Sequence, residues 1–173
     1  MLNIIEKTFK LNGKLAIRSK TERIILHHAD ASSCTVEDID RWHKQKDYTC
    51  IGYHFFVKKD GTIYRGRQEN SVGAHAYQNN YNSIGICFEG KYETEQMPNA
   101  QVQAGKELVA YLKNKYNITK VQKHSDVCNT SCPRQKLQIW RNSKFYYKGC
   151  SYICRSKKRS KRQYRYNTIY IKW

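Results

Sequence analysis

The chain has 173 residues and a formal charge of +18, enough length for one domain with a real core plus an appendage. No apolar run is long enough to span a bilayer. Residues 1–20, where lysines at 7, 10, 14 and 20 break short apolar stretches, do not read as a secretory signal. The charge is uneven: residues 141–173 hold eleven Lys and Arg and no Asp or Glu, a field that favours anionic polymers, anionic lipid or nucleic acid.

Residues 24–27 form a β-branched and apolar run, expected to be a buried strand that delivers His27 at its end. Thr35 opens Thr-Val-Glu-Asp, a capping-type start with acids in the first turn. Ile39, Trp42 and His43 then share one helical face through about Lys46. Residues 54–57 and 62–64 flank Lys-Asp-Gly, a hairpin signal because Gly61 tolerates positive φ. Ser83–Phe88 reads as another core strand. The longest helix is expected over Asn99–Tyr116, where Val102, Leu108, Val109 and Leu112 give a stripe of roughly 3.6-residue period. Residues 120–124 make a short strand, and 134–141 a terminal helix. Strands alternating with helices around one sheet place the chain in the α/β class, with a single mixed β-sheet flanked by helices. Beyond Arg141, aromatic and basic residues interleave with no helical period. The expected division is a domain over 1–141 and an appended segment over 142–173.

The most informative residues are His124 and Cys132, eight apart in KHSDVCNTSCP, together with a histidine ending the apolar run of RIILHHAD. Two imidazoles and one thiolate suit zinc, and three protein ligands leave the fourth tetrahedral position for water, as a catalytic site needs. Pro133 fixes the backbone beside Cys132. The spacing matches neither a zinc finger nor the His-Glu-x-x-His helix, so these donors must converge from separate elements. With Cys132 as a metal thiolate, six cysteines remain (34, 50, 87, 128, 150 and 154). They read as mostly reduced and packed as small apolar side chains, and the sequence chooses no pairing. A rival reading forces Cys128-x₃-Cys132 and Cys150-x₃-Cys154 into a nucleic-acid-binding zinc ribbon. Its spacing is off the common x₂, and it leaves the upstream words unexplained.

Those words are RIILHHADASSC (23–34), IDRWHK (39–44), IGYHFFVKKDGTIYRGR (51–67), VGAHA (72–76), NSIGICFEG (82–90) and KHSDVCNTSCP (123–133). In this order they resemble the type-2 N-acetylmuramoyl-L-alanine amidases, which include bacteriophage-lysozyme-type amidases, clostridial phage endolysins and animal peptidoglycan-recognition proteins. The resemblance covers about two-thirds of the chain and implies the zinc-amidase fold, with His27, His124 and Cys132 as the zinc ligands. It places the family's site tyrosine on Tyr53, and puts Thr130 two residues before the last ligand, where other members carry Lys. Cys87 stands where one related group has a glutamate, so a carboxylate base is excluded there and weight falls on Tyr53 and Thr130. Tyr53 would hydrogen-bond the developing oxyanion, and Thr130 would do the same or orient the water. The family uses the His75 loop at its cleft, for substrate or for support of the site, and Arg67 is a candidate grip for a stem-peptide carboxylate.

The implied reaction is direct hydrolysis, without an acyl-enzyme, of the bond between N-acetylmuramic acid and L-alanine of the stem peptide. The implied partner is Gram-positive peptidoglycan, with teichoic acid or another anionic polymer met by the basic tail and no nucleic acid as main partner. The chain would act as a phage or prophage endolysin or as a bacterial autolysin, and a phage-type endolysin would wait in the host cytoplasm and reach the wall through a holin pore. A non-catalytic recognition module is the alternative, although such relatives usually lack a ligand or the tyrosine. Among the other histidines, His28 is read as a neighbour of the site or a surface residue, His43 as packing or solvent-facing, and His54 as structural and pointing away from Tyr53. Asp126 is expected to cap or orient its loop.

Overall fold

The structure, a computed structural model, describes residues 2–132. Pro133, the helix expected over 134–141 and the segment 142–173 lie outside the described residues. Six strands, β1 (Ile4–Glu6), β2 (Arg23–His28), β3 (Phe55–Val57), β4 (Ile63–Arg65), β5 (Ser83–Phe88) and β6 (Lys120–Lys123), form one mixed sheet. Their order is β1-β4-β3-β5-β2-β6. Helix α1 (Val36–Lys44) follows β2, and α2 (Asn99–Tyr116) precedes β6. Only β3 and β4 pair antiparallel, across the expected Lys-Asp-Gly turn. There Gly61 takes φ +90° and the Lys58 N–H reaches the Thr62 carbonyl at 2.9 Å.

β5 is buried at every position and β2 at all but its first. That burial is why both read as continuous apolar runs rather than alternating ones: parallel strands at a sheet's centre are covered on both faces. Ile24, Leu26, Ile84, Ile86 and Phe88 face α2, where Leu108 and Leu112 close the larger core. The opposite face packs Phe56, Cys87 and Ile51 with Val36 and Ile39 of α1, and Cys34 and Cys50 fill gaps there as free thiols. Burial pushes the Cys34 thiol up to about 12 and the Cys87 thiol well above its usual value, so both stay protonated and unreactive.

Thr35 caps α1 as its sequence implies: its side chain accepts from the Asp38 N–H at 3.1 Å, and Asp38 accepts from the Thr35 N–H at 2.9 Å. The helix stops at Lys44, short of the expected Lys46, and Asp47 turns into the left-handed region at φ 61°. β1 was not foreseen. It is a three-residue edge strand beside β4, mostly exposed, and such a strand carries too little buried pattern to show in a sequence. No helix among the described residues is long and apolar enough to cross a membrane.

Candidate metal centre and active site

The parallel register of β2 and β6 explains how the two candidate ligand histidines meet. Leu26 pairs with Lys123, so the next residue on each strand, His27 and His124, emerges side by side at the carboxyl end of the sheet. This is where open α/β sheets place ligands. Their rings lie 4.5 Å apart between centroids. Cys132 returns to them through a tight loop. Asp126 caps the loop by accepting from the Lys123 N–H at 2.8 Å. The Cys128 N–H donates to the His124 carbonyl at 2.9 Å, and the Ser125 N–H to the Cys132 carbonyl at 2.7 Å. The ligating atoms of His27, His124 and Cys132 all lie within 4.8 Å of one another. A tetrahedral zinc with bonds of about 2.0–2.3 Å would hold them about 3–4 Å apart, so closure asks only for small side-chain rotations.

His27 itself tests whether a metal fits. Its residue is 0% exposed, yet Nδ1 has no hydrogen-bond partner, a costly state for a buried polar atom. Its other nitrogen, Nε2, lies 3.0 Å from Nδ1 of His75. If the Nδ1 lone pair of His27 is to meet a cation, the proton must sit on Nε2 and be donated to His75. His75 then carries its own proton on Nε2, which lies 3.4 Å from Ser83 Oγ, and the Ser83 hydroxyl donates to the Asn79 carbonyl at 2.5 Å. Each member thus has a donor and an acceptor in one consistent direction, with the tautomers assigned from the network. Burial, together with the neighbouring imidazoles, holds His27 and His75 well below the usual histidine range; burial also lowers His124. All three are neutral at ordinary pH, as metal ligation requires of His27 and His124. Burial pushes the Cys132 thiol up to about 11, so its thiolate forms by giving up a proton to metal binding.

Tyr53 stands just before β3, with its ring 5.0 Å from that of His27. Burial holds its phenol well above the ordinary value, so it remains a hydrogen-bond donor. Thr130 accepts from the Cys132 N–H at 3.3 Å, which ties its hydroxyl to the ligand loop. His75 is buried against His27 rather than turned outward, and Asn80 Oδ1 pins its loop by accepting from the N–H groups of His75 and Ala76, both at 2.9 Å. Arg67, the candidate grip for a stem-peptide carboxylate, is largely occupied within the fold. It is only 7% exposed and spends Nε on the Val72 carbonyl at 2.7 Å and Nη1 on the Ile51 carbonyl at 3.2 Å. It braces two loops beside the site.

The remaining histidines divide. His28 is buried and accepts from the Tyr92 N–H at 3.0 Å. His54 is structural as expected: Nδ1 accepts from the Gly85 N–H, and Nε2 lies 3.0 Å from the Ser71 carbonyl. His43 packs, as expected, against the rings of Tyr48 and Tyr53, and its Nδ1 also accepts from the Gly52 N–H at 2.8 Å, one residue before Tyr53. Nothing local in the sequence announces that bond, nor the place of Ser83 behind His75. The Asn-rich run around Asn80 does carry a turn signal.

A single-sheet α/β domain with two histidines and a cysteine gathered at the strand ends, one donor short of a tetrahedral set, is an arrangement that suits a metal-assisted hydrolase. Residues 18–135 match the N-acetylmuramoyl-L-alanine amidase family, and the chain belongs to that family. The endolysin of Enterobacteria phage T3 is 36% identical over 132 residues, covering 71% of this chain and 87% of that protein. The solved structure of N-acetylmuramoyl-L-alanine amidase LysC from Clostridium intestinale URNW is 40% identical with a TM-score of 0.76, over 78% of this chain and 90% of its own. Peptidoglycan-recognition protein SC2 of Drosophila simulans is 30% identical over 148 residues, 76% of this chain and 80% of that protein.

Proposed function

We infer that this N-acetylmuramoyl-L-alanine amidase is a zinc enzyme hydrolysing the amide between the lactyl group of N-acetylmuramic acid and L-alanine of the stem peptide. The observation that carries the zinc reading is the buried, unpartnered Nδ1 of His27 beside His124 and Cys132. Zinc on these donors would supply Lewis acidity and lower the pKa of a water ligand toward neutrality. The chain's own residues do the rest. The Tyr53 hydroxyl donates to the amide oxygen as that oxygen gains negative charge, and a preplaced donor of this kind is worth ~10²–10³ in rate. Thr130 accepts from the Cys132 N–H and keeps its own proton for the oxyanion or for orienting water. His75 fixes the ring plane and tautomer of His27.

The similarity to a clostridial amidase supports Gram-positive peptidoglycan as substrate, and the similarity to phage endolysins supports a place in the host cytoplasm before release to the wall. The basic segment over 142–173 is proposed to hold the enzyme on anionic wall polymers. Mass spectrometry of digested Gram-positive walls tests the reading. The expected products are stem peptides with a free L-alanine amino group and glycan carrying intact N-acetylmuramic acid. Chelation should abolish lysis, added zinc should restore it, and His27→Ala should lose most bound zinc. Full lysis by metal-free protein would overturn the zinc assignment, and tight wall binding with no cleavage would leave only recognition.

A further inference from the structure

Helix α1 lends two side chains to the segment that carries Tyr53. Asp40 and His43, three residues apart and so on one helical face, take the N–H groups of consecutive residues. Asp40 Oδ1 accepts from Ile51 at 2.7 Å, and His43 Nδ1 accepts from Gly52 at 2.8 Å. The Gly52 carbonyl accepts from the Ala74 N–H at 3.1 Å. A Cβ at Gly52 would collide with the Ala74 carbonyl, so this close approach requires glycine. Both sides of the Gly52 unit are therefore held. The Tyr53 carbonyl is held in turn by the Arg67 N–H at 2.9 Å. His43 also meets Tyr53 directly: the two rings lie 5.2 Å apart between centroids, tilted by 49°, within the range of a favourable edge contact.

We propose that His43 is a positioning residue for amide hydrolysis, fixing the Tyr53 hydroxyl through the Gly52 amide and through its ring contact with the tyrosine. The inference rests on the role given to Tyr53 above. His43 bonds none of the three ligand atoms, and its Nδ1 faces a backbone amide, so its effect must pass through Tyr53. Burial, with Lys46 and Arg67 nearby, pushes His43 down to about 4 despite Asp40. Its Nδ1 thus keeps the lone pair that accepts from Gly52 throughout the neutral range. The geometric demand is steep, since misplacing a reacting group by about 1 Å can cost ~10²-fold in rate.

The test uses the full chain loaded with zinc and a soluble muropeptide, with kcat, KM, zinc content and thermal midpoint measured together. His43→Leu keeps bulk and removes the acceptor. His43→Asn returns an oxygen to about the place of Nδ1. His43→Leu is expected to lower kcat by roughly 10–100-fold with KM within about two-fold and zinc retained, and His43→Asn to recover most of the loss. On a Tyr53→Phe background, His43→Leu should add less than about a two-fold further loss, because both changes remove one function. If His43→Leu does not fold, His43→Met replaces it, as methionine fills irregular gaps. Losses that multiply in the double variant would overturn the proposal, as would an Asn variant no better than the apolar one or an apolar variant with wild-type kcat. Wild-type activity in Tyr53→Phe alone would instead sink the role of Tyr53 itself.

Discussion

His27 divides its two nitrogens between tasks: Nε2 meets His75, and the unpartnered Nδ1 is the atom left for a metal shared with His124 and Cys132. A ligand held in this way has its ring plane chosen before any metal arrives, and losing such a support typically costs 10–100-fold in metal affinity. His75→Ala should therefore weaken zinc binding by about 10–100-fold in competition with a chromophoric chelator, with circular dichroism unchanged. Unchanged affinity would mean His27 orients itself. Tyr53→Phe removes one hydroxyl and keeps the ring against His27 and His43. It should retain zinc and lose ~10²–10³ in kcat, and activity within a few-fold of wild type would make Tyr53 a packing residue. The candidate site residues are legible as candidates because each sits in a recognisable word. His43 and Ser83 stand in such words too, yet their roles are not legible there. Their partners are Gly52 and His75, so their roles exist only in the folded chain.

At the level of elements, β2, β5 and β6 are a register device. Pairing Leu26 with Lys123 and His27 with Cys87 sets the ligand histidines beside each other and leaves a small side chain next to them. Gly85 in β5 is part of the same device. A Cβ there would come within 2.5 Å of His75 Cδ2, 2.6 Å of Cγ and 2.8 Å of Nδ1, closer than real contacts allow. The imidazole must then move, and with it the support of His27. Gly85→Ala is expected to lose zinc affinity at least as far as His75→Ala while the thermal midpoint falls. Zinc binding at wild-type strength in the soluble variant would show that His75 can shift without consequence. β5 and α2 were legible to the residue, because a fully buried run and an eighteen-residue amphipathic pattern are long signals. β1 escaped because three half-exposed residues at an edge carry no such period, and the lysines of its neighbourhood hide what apolar pattern there is.

For the molecule as a whole, protons and charge set the working range. Burial pushes His54 down to about 3 and His43 down to about 4, against about 6.5 for histidine in an unfolded chain. As pH falls through about 6.5 the unfolded chain takes up protons that these two sites refuse, so stability is complete above that value and is lost toward pH 4 and then 3. Carboxylates such as the partly buried Glu95, held down to about 2 by its hydrogen bonds, shift the same way but act only below about 4.5. The urea midpoint should therefore already fall between pH 6.5 and 5, and a flat profile there would deny that the buried histidines are neutral. The last expectation concerns residues 142–173, outside the described residues. This stretch has no acidic side chain, and eight aromatics (Phe145, Tyr146, Tyr147, Tyr152, Tyr164, Tyr166, Tyr170, Trp173) stand among its Lys and Arg. Aromatics supply contact area at a surface, and cations supply long-range attraction. The candidate metal donors among the described residues are His27, His124 and Cys132, so truncation after Arg141 should leave cleavage of soluble muropeptides nearly unchanged and weaken sedimentation with intact walls. The difference should shrink as salt rises, because exposed charges are screened beyond roughly 8 Å at physiological ionic strength. A truncated protein that precipitates or sheds zinc would place this segment inside the catalytic domain, and a wall affinity indifferent to truncation would leave binding to the catalytic face alone.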